Sequence, residues 1–346
     1  MKKVVVIGGG TGTYTVLTGL KNYNLDISAV VSMMDSGGST GRLRDQLGVL
    51  PPGDLRQCLV ALSEAPDLWR KLFLYRFESG DLLGHNFGNI FITALEKIAK
   101  DYDEVLEHAS FILGTKGKVL PVTLDKAHLC VEYEDGEIVK GEGLIDKAQK
   151  TNSRIRKAYL DPGAQLALPA KKALEEADFI IFGPGDLYTS VIPNIITKGF
   201  GDTLLKSEAK LIYIVNLVTK KGQTTDYKAS DHVLDIERYL GKKINFILIN
   251  DSQIPKFATE YYEKDDEKVV ENDLEKLELQ GRFQIRGDFL SDFKFEKSPV
   301  DKSVRSLLRH DPHKLAASLI SIMTESSSFK NKVRDALSDI KSYIVD

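Results

Sequence analysis

The chain has 346 residues, and 47 Lys and Arg against 50 Asp and Glu leave a formal net charge of −3 at pH 7. This balance excludes the bulk electrostatic attraction that drives non-specific nucleic-acid binding. No apolar run approaches the ~18 residues needed to span a bilayer, and the N-terminus leads into a strand-like run rather than a signal peptide. Two cysteines, Cys58 and Cys130, are too few for a disulfide framework or a cysteine metal site. We therefore predict a cytoplasmic protein without a membrane span or a nucleic-acid partner.

The first hundred residues alternate short apolar runs with helical patterns. The predicted elements are strands at residues 3–7 and 27–34 and helices at 13–21, 55–63, 68–77 and 86–100. A strand, a glycine-rich turn, a helix and a second strand are the start of a βαβ unit. Residues 35–54 are rich in Gly, Ser, Pro and charge, so we predict a long functional loop there.

The middle of the chain returns to strands. A small β-rich insertion is predicted over about residues 115–145, with a hairpin turn at 134–137. The later predicted elements are a helix at 169–176 and buried strands at 179–182, 211–215 and 244–249. Alternating apolar strands and helices predict an α/β fold with a Rossmann-like, doubly wound, mostly parallel sheet.

The C-terminal part is more charged, and we expect it to form peripheral C-terminal helices. A peripheral segment with a helix and irregular loops is predicted over about residues 255–300. Asp311 and Pro312 are placed to begin a helix at 314–323. We predict a single domain over 1–325, followed by an amphipathic helix at 326–346.

Clustered glycines follow several of these strands. The chain has 27 glycines, and the first cluster offers backbone N–H groups and hydroxyls at a predicted helix N-terminus, which suits a phosphate. It matches neither the dinucleotide fingerprint nor the P-loop, and a tight turn without a ligand remains the alternative. Its candidate ligand-binding residues are Gly9, Gly10, Thr11, Gly12 and Thr13.

The second cluster follows the second predicted strand, where an acid in a dinucleotide fold holds ribose hydroxyls. Its candidate ligand-binding residues are Asp35, Ser36, Gly37, Gly38, Arg42 and Arg44, and the alternative is a solvated loop. Asp54 is explained either as an N-cap of the next helix or, with Asp35, as a ligand of Mg²⁺.

Further candidates follow the later strands, and one shared site at the carboxyl ends of the strands is the simplest interpretation. His85 and Asn86 begin a helix, where capping and a core histidine are the alternatives to ligand contact. The remaining candidate ligand-binding residues are Gly183, Pro184, Gly185, Asp186, Tyr188, Thr189, Asn216 and Thr219. We identify no catalytic residue.

Several segments together resemble the YvcK family of bacterial gluconeogenesis factors, which is related to the 2-phospholactate transferases of deazaflavin cofactor synthesis. The matching segments are IGGGTGT (7–13), GGSTGRLR (37–44), LPPGDLR (50–56), GHNFGNI (84–90), VLPVT (119–123), GPGDLYTS (183–190), ASDH (229–232) and RHDP (309–312). They occur in the family's order. Two departures stand out, since Ser36 replaces the second of two adjacent acids and Asp186 replaces a serine.

The resemblance implies a cytoplasmic regulator of cell shape and envelope synthesis that binds a UDP-sugar such as UDP-N-acetylglucosamine during gluconeogenic growth. Its implied partners are the nucleotide-sugar, envelope-synthesis regulators and further copies of the chain. One alternative is a Mg²⁺-dependent transferase, with Asp35 and Asp54 holding the metal. Loss of the second acid at Ser36 argues against it, because a carboxylate ligand is missing. A second alternative is an NAD-binding protein.

Overall fold

The computed structural model describes residues 1–148, 153–278, 281–292 and 307–324. The predicted C-terminal amphipathic helix at 326–346 lies outside these residues. Within them, no helix combines the length and the apolar character that crossing a bilayer requires.

In the described part of the chain, seven strands form one parallel sheet and three shorter strands form an antiparallel sheet. The strands are β1 (Lys2–Gly8), β2 (Leu25–Val31), β3 (Lys118–Pro121), β4 (His128–Tyr133), β5 (Ile138–Lys140), β6 (Ile155–Asp161), β7 (Phe179–Phe182), β8 (Lys210–Ile214), β9 (Phe246–Asn250) and β10 (Phe283–Gly287). The parallel sheet has the order β10-β9-β8-β7-β1-β2-β3, and the small sheet has the order β5-β4-β6. The predicted Rossmann-like α/β class is confirmed.

Helices surround the parallel sheet and connect its strands. They are α1 (Gly10–Leu20), α2 (Gly38–Leu47), α3 (Gly53–Leu62), α4 (Asp67–Leu74), α5 (Phe87–Ile98), α6 (Tyr102–Leu113), α7 (Glu142–Ile145), α8 (Leu168–Glu176), α9 (Ile192–Ile195), α10 (Phe200–Lys206), α11 (Ala229–Leu240), α12 (Lys256–Glu263), α13 (Glu275–Glu278) and α14 (312–324). A single π-helical turn, Leu187–Val191, precedes α9.

The first strand shows why the sheet is buried on both faces. Val5 and Ile7 belong to the hydrophobic cluster on one face, whereas Val4 and Val6 belong to the cluster on the other. Successive side chains of a strand point to opposite faces, so a continuous apolar run is buried only when helices cover both sides. This is the reason that the apolar runs of the sequence predict a parallel sheet.

The strand order reverses between β1 and β7. From β1 the chain builds outward through β2 and β3, and from β7 it builds in the opposite direction through β8, β9 and β10. Ile7 and Phe182 are paired at the carboxyl ends of β1 and β7. In open α/β sheets a crevice forms at this switch point, because the two connections leave in opposite directions.

Three predicted elements differ from the structure. The predicted loop over 35–54 contains α2, whose buried face includes Ser39, Thr40 and Gly41 and therefore shows little apolar periodicity. The predicted insertion over 115–145 is divided, since β3 pairs with β2 in the main sheet and the small sheet extends to β6. The charged segment over 255–300 contributes β10, which pairs with β9 at the sheet edge.

Candidate functional site

A cleft of about 390 Å³ lies at the switch point, at the carboxyl ends of β1, β7 and β8. Its walls come from the first glycine loop, the loop after β7, the segment after β8, the region following α12 and the segment before α14. The lining residues are Gly9, Gly10, Thr11, Gly12, Thr15, Pro184, Gly185, Asp186, Ser190, Asn216, Leu217, Val218, Thr219, Lys220, Tyr262, Asp265, Glu267, Leu308, Arg309 and His310.

The two glycine loops are in direct backbone contact at the floor of the cleft. A Cβ atom on Gly12 would lie 1.9 Å from the carbonyl oxygen of Pro184, so no other residue fits there without a shift of the backbone. Asn216 donates from Nδ2 to the carbonyl oxygen of Gly185 at 2.9 Å and joins the end of β8 to the same loop. The Oδ1 atom of Asn216 is buried, and no described residue donates to it.

Asp54 holds the first glycine loop in place through a hydrogen bond. Its Oδ1 accepts a hydrogen bond of 2.8 Å from the amide of Gly10, and Gly9 lacks the Cβ that would collide with Oδ2. Burial and the neighbouring Asp35 raise the pKa of Asp54 to about 7. The predicted N-cap role of Asp54 is wrong: Pro52 is the N-cap of α3, and Asp54 lies in its first turn.

Asp35 lies beyond Asp54 and does not line the cleft. Its Oδ1 accepts a hydrogen bond of 2.8 Å from the amide of Gly37, and burial raises its pKa. Glu142, on the short helix α7, accepts from the amide of Ser36 at 3.3 Å, and the Ser36 hydroxyl accepts from the amide of Gly143 at 2.9 Å. Burial and the neighbouring Asp35 raise the pKa of Glu142 well above its usual value. These contacts tie the small sheet to the second glycine loop.

The far wall of the cleft carries both signs of charge. Lys220 pairs with Asp146 at 3.6 Å. Burial lowers the pKa of Lys220, but Asp186, Asp146 and Glu267 outweigh burial and raise it. Burial raises the pKa of Asp186. Asp186 lines the cleft, and no described residue donates a hydrogen bond to its carboxylate.

The structure brings nearly half of the predicted ligand-binding residues together. Those that line the cleft are Gly9, Gly10, Thr11, Gly12, Pro184, Gly185, Asp186, Asn216 and Thr219. Those outside its lining are Thr13, Asp35, Ser36, Gly37, Gly38, Arg42, Arg44, His85, Asn86, Gly183, Tyr188 and Thr189.

Several of the residues outside the cleft have structural partners instead. The Tyr188 hydroxyl is buried and contacts Tyr227 and Asp235, on the far side of its loop. Arg44 forms an ion pair of 3.2 Å with Asp45. Asn86 is the N-cap of α5, since its side chain accepts from the amide of Asn89 at 3.1 Å. The capping alternative for Asn86 is therefore confirmed.

Sequence reasoning missed the wall formed by the end of α12, the region that follows it and the segment before α14. These residues are Tyr262, Asp265, Glu267, Leu308, Arg309 and His310, together with Lys220 after β8. The segment RHDP at 309–312 was a signal for Arg309 and His310. Nothing local to the charged stretch around Asp265 marks it as part of a cleft, because its position depends on the pairing of Val218 with Val269.

In the part of the chain that the structure describes, no group of three or more His, Cys, Asp and Glu side chains is arranged to hold a metal ion. Asp35 and Asp54 form a pair, and each uses Oδ1 for a backbone amide. Mg²⁺ is commonly held by one or two carboxylates, with waters and substrate phosphates completing its shell. The pair fits that mode of binding only with such additional ligands.

The strand order and the crevice at its switch point define a Rossmann-like α/β protein. The family model described as "2-phospho-L-lactate transferase CofD" matches residues 4–290. A "Putative gluconeogenesis factor" of Thermotoga maritima is 45% identical over 277 residues, which are 80% of this chain and 87% of that protein. The "Gluconeogenesis factor" of Bacillus subtilis is 38% identical over 326 residues, or 93% and 98% of the two chains.

A solved crystal structure of a related protein has the same fold. The crystal structure of a UPF0052 family member from Bacillus halodurans superimposes with a TM-score of 0.84 at 36% identity and covers 92% of this chain and 98% of that one. The chain therefore belongs to the CofD family, in the branch of the gluconeogenesis factors (YvcK, UPF0052).

Proposed function

We propose that the cleft binds a nucleotide-activated sugar of the UDP-N-acetylglucosamine type, and that the protein is a cytoplasmic regulator of cell shape and envelope synthesis during gluconeogenic growth. The observation that carries the proposal is the N-terminus of α1 at the floor of the cleft. The first N–H groups of a helix have no partner within it and attract anions. The amide of Gly10 is used by Asp54, whereas Thr11 and Gly12 line the cleft and supply donors for a diphosphate.

The opposite wall suits a polyhydroxylated group. Asp186 and Glu267 line this wall as hydrogen-bond acceptors, and sugar hydroxyls are donors. An acid beside a diphosphate would repel it, so Asp186 faces the ribose or the sugar in this arrangement. Lys220 and Arg309 line the cleft and supply positive charge for the phosphates.

The regulatory role is proposed from the names of the relatives and from the cleft together. Proteins that are 37–45% identical over most of this chain are named gluconeogenesis factors. The lining of the cleft offers hydrogen-bond donors and acceptors, and we assign no nucleophile or general base in it. A protein that senses a nucleotide-sugar needs the first of these properties and not the second.

Calorimetric titration of the full chain with UDP-N-acetylglucosamine, UDP, GDP and NAD tests the proposal. We expect the UDP-sugar to bind with higher affinity than UDP alone. In a thermal unfolding measurement, a ligand present at 100 times its Kd should also raise the free energy of unfolding by about 2.7 kcal/mol. Binding of NAD alone, or no binding of either uridine nucleotide, would overturn it. Binding without any change in the sugar or the nucleotide over hours distinguishes a regulator from an enzyme.

A transferase with Mg²⁺ is the second candidate, and the pair formed by Asp35 and Asp54 beside the first glycine loop favours it. In that case the two carboxylates hold the metal, which would neutralise phosphate charge. Mg²⁺-dependent turnover of a nucleotide-activated substrate that is lost in Asp54→Asn would replace the regulatory proposal. Unchanged turnover in that variant would exclude this role for Asp54.

A further inference from the structure

A second concentration of donors lies outside the cleft, at the turn between α4 and α5. This turn is closed by two backbone hydrogen bonds, from Phe77 to the carbonyl of His85 at 2.9 Å and from Gly84 to the carbonyl of Phe77 at 2.8 Å. An isolated bridge between Arg76 and Asn86 extends it. The turn is therefore a defined structure on which side chains are held in place.

Two arginines bind adjacent carbonyl groups of this turn. Arg42, from α2, donates from one guanidinium nitrogen to the carbonyl of Leu83 at 3.1 Å, and Arg76 donates to the carbonyl of Gly84 at 2.8 Å. Each bond uses one of five guanidinium N–H groups, so most donors of both arginines remain available. Within the described residues, neither arginine forms an ion pair with a carboxylate, including the acids Glu78 and Asp81 of the same turn.

His85 adds a third donor, and its tautomer follows from its buried partner. The Ser39 hydroxyl oxygen accepts from the amide of Asn86 at 3.2 Å and from Nδ2 of Asn89 at 3.5 Å. A hydroxyl that accepts twice has only its own proton left to donate, and Nδ1 of His85 lies 3.2 Å away. Ser39 therefore donates to Nδ1, and the imidazole carries its proton on Nε2, to which no described residue supplies an acceptor.

Arg42 and Arg76 bind the carbonyl groups of Leu83 and Gly84, the two residues that precede His85 in the chain. Burial lowers the pKa of His85, and the positive charges of Arg42 and Arg76 lower it further. Holding two like charges together costs free energy, and a fold commonly tolerates this where an anion binds. Guanidinium groups match the paired oxygens of a phosphate, and a neutral imidazole donates without adding to the repulsion.

This group is separate from the cleft. Arg42, Arg76 and His85 are absent from the lining of the cleft, and His85 is linked to Asp35 only indirectly, through the hydrogen-bonded side chains of Ser39, Asn89 and Thr40. Arg42 is exposed, so an anion has access from solvent. The site therefore does not depend on which ligand occupies the cleft.

We propose that Arg42, Arg76 and His85 form a second anion site, which binds the phosphate group of a small phosphorylated molecule through two guanidinium forks and the Nε2–H of His85. The shared chemistry is a tetrahedral oxyanion, and its sources are inorganic phosphate and a phosphate monoester. Both sources use the same three donors, and only the ester would gain further contacts with the exposed rings of the turn, such as Tyr75.

Crystals of the full chain soaked in selenate test the proposal, because selenium locates the oxyanion by its anomalous signal. We expect a peak within hydrogen-bonding distance, about 3 Å, of Nε2 of His85. The peak should be lost in the Arg42→Gln/Arg76→Gln double variant and retained in Arg286→Gln, which alters an exposed arginine on β10. No peak at the turn, or a peak that survives in the double variant, would overturn the proposal.

A solution measurement distinguishes the sources and guards against a folding defect. Phosphorus NMR titrations with inorganic phosphate and with glycerol phosphate are run at constant ionic strength, with the cleft saturated by UDP. We expect the Kd of both to rise about 10-fold or more in the double variant, the loss typical of charge-assisted bonds. A lower Kd for the ester identifies a phosphorylated metabolite, and an equal Kd identifies inorganic phosphate. Unchanged Kd values in a folded double variant would contradict the site.

Discussion

The amide of Gly10 donates a hydrogen bond of 2.8 Å to Oδ1 of Asp54, and these residues are 44 positions apart in the chain. The bond joins the start of α1 to the first turn of α3. It therefore sets the position of the first glycine loop relative to α3. It also determines which amides of the loop remain for a ligand, since that of Gly10 is already used.

Asp54→Ala is expected to destabilise the fold more than Asp54→Asn. Alanine leaves the amide of Gly10 without an acceptor, whereas asparagine keeps an oxygen in the same place. A buried unsatisfied donor costs about 1–3 kcal/mol, and we expect about 1 kcal/mol here because the bond is only partly buried. Urea unfolding at pH 7.5 should show this difference between the two variants, and equal stabilities would mean that the Gly10–Asp54 bond does not support the loop.

Gly12→Ala is expected to lower the free energy of unfolding by about 1–3 kcal/mol, the usual cost of overpacking, and to weaken ligand binding in the cleft. The added Cβ would lie 1.9 Å from the carbonyl oxygen of Pro184. Gly163→Ala is the matched control, because nothing lies within 4 Å of its added Cβ. Thermal unfolding and UDP-sugar titration of both variants check this. A Gly12→Ala protein as stable as the control would show that the two loops move apart readily.

Lys220→Met is expected to raise the Kd for a UDP-sugar about 10-fold or more, since a charge-assisted bond is lost and the charge of Asp186 is no longer balanced. The control is Lys172→Met on α8, whose side chain is 74% exposed. Calorimetry on both variants measures the effect. Equal affinities would remove Lys220 from the ligand site and leave the phosphates to the loop amides and Arg309.

His232 is expected to make the fold sensitive to acid. Its side chain is fully buried, with Nδ1 3.3 Å from the Tyr213 hydroxyl, and burial lowers its pKa from 6.5 to about 3. The unfolded chain therefore binds a proton that the folded protein does not, at every pH between about 3 and 6.5. The free energy of unfolding should fall as the pH drops through that range.

The matching measurement is urea unfolding between pH 4 and 7. His232→Phe should lose less stability on acidification than the parent chain, although it is less stable at pH 7 because the Tyr213 hydroxyl loses its partner. His108→Phe, a replacement at a side chain that is 55% exposed, should keep the parent's dependence on pH. Parallel curves for the parent and His232→Phe would place the acid sensitivity elsewhere.

Strands were predicted correctly from the local sequence pattern where the sheet is buried on both faces, because such a strand is a continuous apolar run. β1, β7 and β8 were all found for that reason, and the N-cap at Asn86 was found from its side chain. The helix α2 was missed because its buried face offers a single apolar side chain, Leu43, beside Ser39, Thr40 and Gly41, and one apolar residue makes no periodic pattern. Such a helix is stabilised by the parts of the fold that pack against it, and the local sequence does not show them.

The candidate site shows the same division. Clusters of glycine at strand ends marked both loops that form the floor of the cleft, because few residues other than glycine allow such close backbone contact. The sequence could not show that Asp54 bonds to the first glycine loop. Nor could it show that the hydroxyl of Tyr188, two residues after Asp186 of the cleft, contacts Tyr227 instead of lining the cleft. These roles depend on side-chain direction, which differs between neighbours in a turn.

The sequence by itself determined the α/β class, the family, the near-neutral charge and the glycine loops, since each is a property of composition or of short segments. Tertiary structure alone decided which polar residues share a cavity. Asp265, Glu267 and Arg309 reach the cleft from segments far along the chain, while Arg42 binds the carbonyl of Leu83 at a different turn. The physical reason is that a parallel sheet brings the carboxyl ends of strands that are distant in sequence to one edge. The packing of the connecting segments then decides which side chains face one another.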